Sequence, residues 1–219
     1  PLAMAAGGLA ELGQLKLITS IDERSAAFLA LGISTGTSRA VVVLTTSGTA
    51  VANLLPAAIE ADRSCQPLIF LTADRPERLK DCGSNQTVNQ EDFLKSVCRC
   101  VEQPNQKGFH LCSDQVIKKL AFKLWQYAND FRGPVHLNVA FEEPLHPSFL
   151  EQKAIWNCDE VGNSIEIKKI PELKSLVTNL YKEEVIPRLD PSSPGVVIVG
   201  PWRGPSTELK AFNKALNEW

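Results

Sequence analysis

The stretch AVVVLTTSGTAVANLLPAAIEAD, residues 40–62, decides the fold. Its first part, residues 41–44, is an unbroken apolar run rich in valine, which is typical of a strand buried on both faces of a parallel sheet. Small hydroxyl-bearing residues follow around Gly48, and apolar side chains then recur at helical spacing over residues 51–59. The stretch therefore predicts a central strand, a glycine turn and a helix.

The glycine turn is also the first place to search for a function. In open α/β sheets, ligands bind in the crevice beyond the carboxyl ends of the strands. Residues 47–53 follow the predicted strand directly, so they should line that crevice.

Composition limits the class of protein. The chain has 219 residues, 44% of them hydrophobic, which is enough for one full domain and part of another. Lys plus Arg number 23 against 25 for Asp plus Glu, a net charge of -2, so nothing favours nucleic acid or an anionic membrane as a partner. No apolar run has the length of a membrane span. We expect a soluble α/β protein.

The six cysteines form no Cys-x-x-Cys pair and no zinc-like spacing, so we predict free thiols in a reducing compartment. The scattered histidines have no Ser or Cys partner in a recognisable motif, and His136 is predicted to be a structural strand residue. The sequence GPWRG at residues 200–204 follows a strand-like run but lacks the dinucleotide-binding spacing, which disfavours a cofactor site there.

The rest of the chain alternates apolar strand-like and helix-like segments, which predicts right-handed βαβ units and a mainly parallel sheet. In chain order we predict a helix over residues 2–12, a short strand over 15–18, a helix from Ser20, a strand over 67–73, a long polar loop over 74–90, a strand over 96–101, a helix from Ser113 and a strand over 135–141.

These elements predict two domains of unequal completeness. Residues 1–148 should form one α/β domain, and residues 149–170 should be a linker over the surface. Residues 171–219 offer only a helix, a strand and a second helix, too little to bury a core, so we expect the truncated beginning of a further domain. Because the chain opens on Pro1 with its single Met at position 4, we expect a piece of a longer protein.

Glu23 is the carboxylate of most interest, and two interpretations stay open. Ser20 and Glu23 have the spacing of a helix capping box, which would make Glu23 structural. Alternatively, Glu23 lies at a strand-to-helix junction, where burial would raise its pKa toward a range useful for proton transfer.

Polar candidates follow the 67–73 strand. Pro76 favours an extended backbone at Arg75, which would carry the guanidinium beyond the sheet edge to bind a substrate carboxylate. A surface salt bridge from Arg75 to Asp74 or Glu77 is an equal alternative. Asn85 and Gln86 are either turn residues or hydrogen-bonding groups aimed at a substrate.

Several motifs together carry a resemblance. They are IDERSAAFLALG at 21–32, TSGTAVANLLPAAIEA at 46–61, LTADRP at 71–76, DCGSNQ at 81–86 and GPVHLNVAFEEPL at 133–145. In this order they resemble the 2-succinyl-5-enolpyruvyl-6-hydroxy-3-cyclohexene-1-carboxylate synthases, a family of thiamine-diphosphate enzymes. The resemblance covers about residues 1–148.

The resemblance implies roles for individual residues. Residues 1–148 would be the pyrimidine-binding domain, with Glu23 as the catalytic glutamate that contacts the aminopyrimidine ring of the cofactor and promotes removal of the thiazolium proton. Ser47, Gly48, Thr49 and Asn53 would line the pyrimidine side of the cleft. Arg75, Asn85 and Gln86 would face the substrates, 2-oxoglutarate and isochorismate.

It also implies parts that this chain lacks. The Mg²⁺ and diphosphate ligands would lie in another domain, so the fragment alone should be inactive. The enzyme would decarboxylate 2-oxoglutarate and add the product to isochorismate in menaquinone or phylloquinone biosynthesis. It would be a homodimer or homotetramer, located in the chloroplast if the source is a plant and otherwise in the cytoplasm.

Three alternatives stay open. The chain could belong to another thiamine-diphosphate enzyme that uses a different 2-oxo acid. It could be a Rossmann-type nucleotide-binding protein, or a non-catalytic pairing module.

Overall fold

The structure, a computed structural model, describes residues 1–146, 148, 151, 210 and 212–214. The chain divides into two compact units, Pro1–Gln152 and Lys153–Trp219. Almost all described residues belong to the first unit. The helix and strand predicted beyond residue 170, the GPWRG sequence and Cys158 lie outside the described residues.

The first unit is built on a parallel sheet of four strands, which confirms the predicted α/β class. The strands are β1 (Val41–Thr45), β2 (Leu68–Asp74), β3 (Val101–Glu102) and β4 (Pro134–Ala140), and they lie in the order β1-β2-β4-β3. Thr45 is level with Thr72, and Asp74 is level with Ala140. The carboxyl ends of the strands therefore meet at one edge of the sheet.

Five α-helices accompany the strands: α1 (Leu2–Glu11), α2 (Glu23–Thr37), α3 (Thr49–Ala52), α4 (Leu55–Arg63) and α5 (Asp114–Asp130). Single 3₁₀ turns occur at Glu77–Leu79, Gln90–Asp92 and Phe109–Leu111. No helix in the part of the chain that the structure describes is long and apolar enough to cross a bilayer.

The core lies on both faces of the sheet. Leu68 and Phe70 of β2 are fully buried against α2 and α4. The intervening Ile69 points to the opposite face and packs with Leu124 of α5, since successive strand residues alternate between faces. The five cysteines that the structure describes form no disulfide with one another, which agrees with the predicted thiols.

The prediction that residues 41–44 form a central strand is wrong. β1 pairs only with β2 among the described strands, and Val42 is 53% exposed. The valine run predicts an apolar strand correctly. It cannot predict the order of the strands, because that order depends on pairing between segments that are distant in sequence. β2 and β4 are the central strands.

The helix predicted after the glycine turn is two helices. α3 ends at Ala52, and α4 begins at Leu55 with Pro56 in its first turn. Proline has no N–H to donate, so Pro56 cannot continue the hydrogen-bond ladder back to Ala52. The break leaves Asn53 at the junction between the two helices.

Two predicted strands are also wrong. Residues 15–18 pair with nothing in the described part of the chain, and Leu15, Leu17 and Ile18 are exposed. Of residues 96–101, only Val101 lies in a strand, because the chain from Phe93 onward folds into consecutive turns that bury Leu94 instead.

Candidate functional site

The candidate site lies at the carboxyl edge of the sheet. Two segments meet there: the glycine turn (residues 47–49), which follows β1, and the polar loop (residues 75–89), which follows β2. Both leave neighbouring parallel strands at the same edge, so the fold brings them together although they are distant in sequence.

The start of α2 removes the structural interpretation of Glu23. Asp22, rather than Ser20, is the N-cap: its carboxylate accepts hydrogen bonds from Ser25 N (2.7 Å) and Ser25 Oγ (2.6 Å). These two bonds from Ser25 hold the pKa of Asp22 below its usual value. Ser20 instead donates to the Asp22 carbonyl. The predicted capping box is therefore absent, and Glu23 has no capping role.

Glu23 is half-buried and points toward the break between α3 and α4. Asn53 Nδ2 donates to Glu23 Oε2 at 3.4 Å, the only hydrogen bond to this carboxylate in the described part of the chain. The neighbouring Arg24 forms no ion pair with it there. One carboxylate oxygen, Oε1, thus remains available to a ligand.

The glycine turn needs its glycine. Gly48 has φ +81° and ψ -137°, a backbone conformation that residues with a Cβ rarely adopt. Ser47 is buried and donates to the Gln86 carbonyl at 3.0 Å, whereas Thr49 is exposed at the start of α3. The turn is therefore fixed to the polar loop on one side and open to solvent on the other.

Gln90, which sequence analysis did not single out, joins the two segments. It is fully buried, and its Oε1 accepts from Gly48 N at 2.8 Å. Its Nε2 donates to the Ala73 carbonyl at 2.9 Å and to Asn138 Oδ1 at 2.7 Å. Both amide hydrogens and the amide oxygen are thus engaged, so the side chain has a single satisfied orientation.

The hydrogen bonds beyond Gln90 have one consistent direction. Asn138 Nδ2 must donate to the carboxylate of Asp74 (2.7 Å), so Asn138 Oδ1 is the acceptor for both Gln90 and Thr72. The Thr72 hydroxyl gives its hydrogen to Asn138 and must accept at 2.8 Å from His136 Nε2. His136 therefore carries its proton on Nε2.

His136 is fully buried in β4, as its predicted structural role requires. Its Nδ1 is buried with no hydrogen-bond partner in the described part of the chain, which agrees with a neutral ring protonated only on Nε2. Burial lowers the pKa of His136 to about 4, and the charge of Glu91 opposes this only in part. The ring is consequently uncharged at neutral pH.

A buried ion cluster surrounds Asp74, where the hydrogen bonds from Gln90 through Asn138 end. Lys80 Nζ lies 2.7 Å from Glu91 Oε1 and 3.4 Å from Asp74 Oδ2, and the lysine side chain is only 8% exposed. Burial by itself lowers the pKa of Lys80, but the hydrogen bond to Glu91 and the charge of Asp74 outweigh it and raise that pKa. Lys80 thus fixes both ends of the polar loop to the sheet.

Arg75 is half-buried beside this cluster. Its backbone N–H donates to Asp74 Oδ1 at 2.7 Å, but its guanidinium makes no salt bridge to Asp74, to Glu77 or to any other described acid. It lines a small pocket with Lys80, Asn138 and the chain following β3, at residues 103–106. The salt-bridge alternative is therefore wrong for the described residues, and the cation is available to an anion.

Asn85 and Gln86 form a turn in the polar loop, and both are exposed. Gln86 has φ +56°, a left-handed conformation that is uncommon for a residue with a Cβ. Their backbone carbonyls accept hydrogen bonds from Thr87 and Ser47, while their side-chain amides bind no described residue. The two amides remain free to meet a ligand.

The residues near Glu23 suit an aminopyrimidine ring, which carries both hydrogen-bond donors and acceptors. Glu23 offers a free carboxylate oxygen and Asn53 an amide. At the carboxyl end of β1, Thr45 Oγ1 is buried with no hydrogen-bond partner among the described residues, an arrangement that is costly unless something else binds it. The described residues contain no cluster of His, Cys, Asp and Glu able to hold a metal ion.

The predicted residues fall into two groups. Glu23, Asn53 and the glycine turn lie at the β1 side of the edge. Arg75 lies across β2, at the pocket beside β4. Sequence analysis missed the connecting residues Gln90 and Asn138. The one signal for Asn138 was a polar residue within the apolar strand VHLNVA, where a buried amide must find partners.

Comparisons with known proteins define the class. Residues 3–96 match the family described as thiamine pyrophosphate enzyme, N-terminal TPP binding domain. The match includes α1 to α4, β1, β2 and the polar loop. This part of the chain is therefore similar to the N-terminal thiamine-pyrophosphate-binding domains of that family.

Within this class, the chain is similar along its whole length to 2-succinyl-5-enolpyruvyl-6-hydroxy-3-cyclohexene-1-carboxylate synthases, which confirms the resemblance seen in the motifs. It is 56% identical to that of Prochlorococcus marinus strain MIT 9313, covering 38% of the relative. It is 54% identical to that of Synechococcus sp. strain WH7803 and covers 37% of it. In both alignments 100% of this chain is matched, so the chain spans little more than a third of its relatives' length.

Proposed function

We propose that this chain supplies the aminopyrimidine-binding side of a thiamine diphosphate site in an enzyme that decarboxylates 2-oxoglutarate and adds the resulting four-carbon unit to isochorismate. This reaction would serve menaquinone or phylloquinone biosynthesis. The similarity to the synthases along the whole chain supports the proposal.

The observation that carries the proposal is the state of Glu23. Asp22 performs the helix capping, which leaves Glu23 turned to Asn53, with one oxygen free among the described residues. A half-buried carboxylate with no ion-pair partner among the described residues is suited to accept a hydrogen bond from a ring nitrogen and to share its proton.

The chain's own residues would then divide the work. Thiamine diphosphate, when bound, supplies the carbon nucleophile that 2-oxo acid decarboxylation needs. Glu23 Oε1 would bind the aminopyrimidine ring and exchange a proton with it, and Asn53 would hold the other carboxylate oxygen. Ser47, Gly48 and Thr49 would line the ring's side of the cleft.

Recognition of the substrates would fall to the polar loop and its surroundings. Both proposed substrates carry carboxylates, and an arginine without an acidic partner is well suited to bind one. Arg75 meets that condition within the described residues, while Asn85 and Gln86 offer free side-chain amides.

Further parts of the proposal concern groups outside this chain. The Mg²⁺ and diphosphate ligands would come from another domain, and the active enzyme would be a homodimer or homotetramer. The compartment stays a prediction: chloroplast for a plant source, and cytoplasm otherwise.

Glu23→Gln in the natural full-length protein that contains this chain tests the proposal. The amide keeps the size of the side chain but cannot exchange the proton, so decarboxylation of 2-oxoglutarate should fall at least about 100-fold. Carbon dioxide release from labelled 2-oxoglutarate measures it, with thiamine diphosphate and Mg²⁺ present.

Glu60→Gln is the matched control, because Glu60 is an exposed carboxylate on α4 away from the cleft. It should retain full activity. Turnover of the Glu23 variant within a factor of about three of the control would contradict the proton-transfer role.

A further inference from the structure

The side chain of Gln90 connects the glycine turn to the end of the polar loop, and no backbone hydrogen bond joins these two segments among the described residues. Its oxygen holds Gly48 N, its nitrogen holds the Ala73 carbonyl, and its own backbone follows immediately after the polar loop. One buried amide therefore contacts the glycine turn after β1, the end of β2 and, through Asn138, strand β4.

Ser47 adds a second, parallel connection. Its hydroxyl donates to the Gln86 carbonyl at 3.0 Å, and the hydrogens of Gly48 Cα face the Gln86 backbone, since a Cβ built there would lie 3.4 Å from it. The glycine turn and the Asn85–Gln86 turn are thus in van der Waals contact, beside the connection that Gln90 makes to Gly48.

The orientation of the Gln90 amide is determined from both ends of the network. Gly48 can only donate, so it requires the amide oxygen; the Ala73 carbonyl can only accept, so it requires the amide nitrogen. A side chain that lacks either function would leave a buried backbone group unpaired, and such groups are costly to leave unpaired.

From this geometry we infer that Gln90 is a positioning residue for the proposed reaction: its amide sets the distance between the glycine turn on the cofactor side and the Asn85–Gln86 turn on the substrate side. The kinetic consequence of this inference rests on the proposed function. The hydrogen bonds from the Gln90 amide to Gly48 and Ala73, here called the clamp, are a property of the chain itself. Gln90 contacts neither cofactor nor substrate in this assignment.

The experiment compares Gln90→Met, which keeps length but cannot form the hydrogen bonds, with Ser34→Ala. Ser34 is also fully buried, and its hydroxyl donates to the Pro67 carbonyl at 3.0 Å, next to the amino end of β2 and away from the site. Both variants lose a buried side-chain to backbone hydrogen bond, but only one loses it at the clamp.

In the natural full-length protein, Gln90→Met should raise KM for 2-oxoglutarate or isochorismate by about tenfold or more, because small displacements of positioning groups are costly. Amide hydrogen exchange of the peptide containing Gly48 should become faster. Ser34→Ala should lower Tm yet leave both KM values and the Gly48 exchange unchanged.

If Gln90→Met does not fold, Gln90→Glu is a second variant that tests the same inference. Its carboxyl group still offers an oxygen to Gly48 N, so Gly48 exchange should stay as in the wild type. At least one of the two donated bonds, to Ala73 or to Asn138, is lost, so KM should still rise. Two results would overturn the clamp. One is that Gln90→Met has the same KM values and the same Gly48 exchange as the wild type. The other is that Gly48 exchange is fast in Gln90→Glu.

Different measurements test the clamp and the proposed function, so the two can fail independently. If the wild-type protein does not turn over 2-oxoglutarate with thiamine diphosphate, the proposed function fails, and the exchange measurements still decide whether Gln90 holds Gly48.

Discussion

His136 shows how a single buried side chain makes the stability of this domain depend on pH. The folded ring has its pKa lowered to about 4 by burial, whereas an unfolded histidine titrates near 6.5. Between these values the unfolded chain binds a proton that the folded chain does not. The stability conferred by the neutral ring is therefore full above about pH 6.5 and is lost as the pH falls toward 4.

The size of this effect can be tested with His136→Gln, which retains an N–H donor for Thr72 but does not titrate. Between pH 7 and pH 4 the wild type should lose about 3 kcal/mol more unfolding free energy than the variant. Urea unfolding across this range measures the difference, in which the contributions of other titrating groups cancel. Parallel pH curves for the two proteins would refute the assignment.

Arg75 carries the second prediction at this scale. Because its guanidinium has no acidic partner among the described residues, Arg75→Ala should weaken binding of a carboxylate substrate by about 1.5 to 3 kcal/mol, or about tenfold to a hundredfold in KM. Steady-state kinetics of the full-length protein with 2-oxoglutarate and isochorismate measure the effect.

Arg63→Ala provides the comparison for Arg75. The Arg63 side chain is 80% exposed and lies 3.7 Å from Asp62, a loose surface contact. Its removal should leave both KM values unchanged. A similar small effect from both substitutions would exclude Arg75 from substrate binding.

Among the elements, the break between α3 and α4 places an apolar anchor beside the site. Leu54 lies at the break and is fully buried, while Ile59, further along α4, is 40% exposed. Leu54→Ala should cost about 3 kcal/mol of unfolding free energy, as expected for a cavity in a close-packed core. Ile59→Ala should cost less than about 1 kcal/mol. Urea unfolding of both variants tests the contrast, and equal losses would contradict the packing described for Leu54.

The elements also show which features local sequence can predict. Apolar periodicity located α1, α5, β2 and β4 because each is long enough to show its period. Pro56 divides the predicted helix at residues 51–59, because proline lacks the N–H that would continue the hydrogen-bond ladder. The cap of α2 was assigned to Ser20 because both Ser20 and Asp22 are good caps, and only backbone geometry selects between them.

At the scale of the whole molecule, the sheet order predicts a gradient of stability. β2 and β4 each have two strand neighbours, whereas β1 and β3 lie at the edges of the described sheet. Amide hydrogen exchange of this chain should therefore be slowest in β2 and β4 and faster in β1. Mass spectrometry of peptic peptides measures this. Protection of β1 equal to that of β2 would indicate that another strand covers its free edge.

At the scale of the whole molecule, the candidate site is assembled from segments that are distant in sequence. Sequence motifs found Glu23, Arg75 and the glycine turn because those residues lie in recognisable local patterns. They could not find Gln90, whose partners Gly48 and Asn138 are each more than 40 residues away in the chain, at separations of 42 and 48. Residues whose role is to hold distant segments together leave little local signal, so only the folded arrangement identifies them.

The oriented hydrogen bonds from Gly48 to Asp74 have a consequence for how this protein can evolve. Gly48, Gln90, Asn138 and Asp74 come from separate segments, yet each hydrogen-bond donor among them faces an acceptor on the next. A substitution at one position exposes a mismatch at the next, so it should survive only beside a compensating change. In lineages derived from this chain, we expect these positions to be inherited as one linked set and to show strong epistasis, whereas the exposed residues of α5 should vary independently.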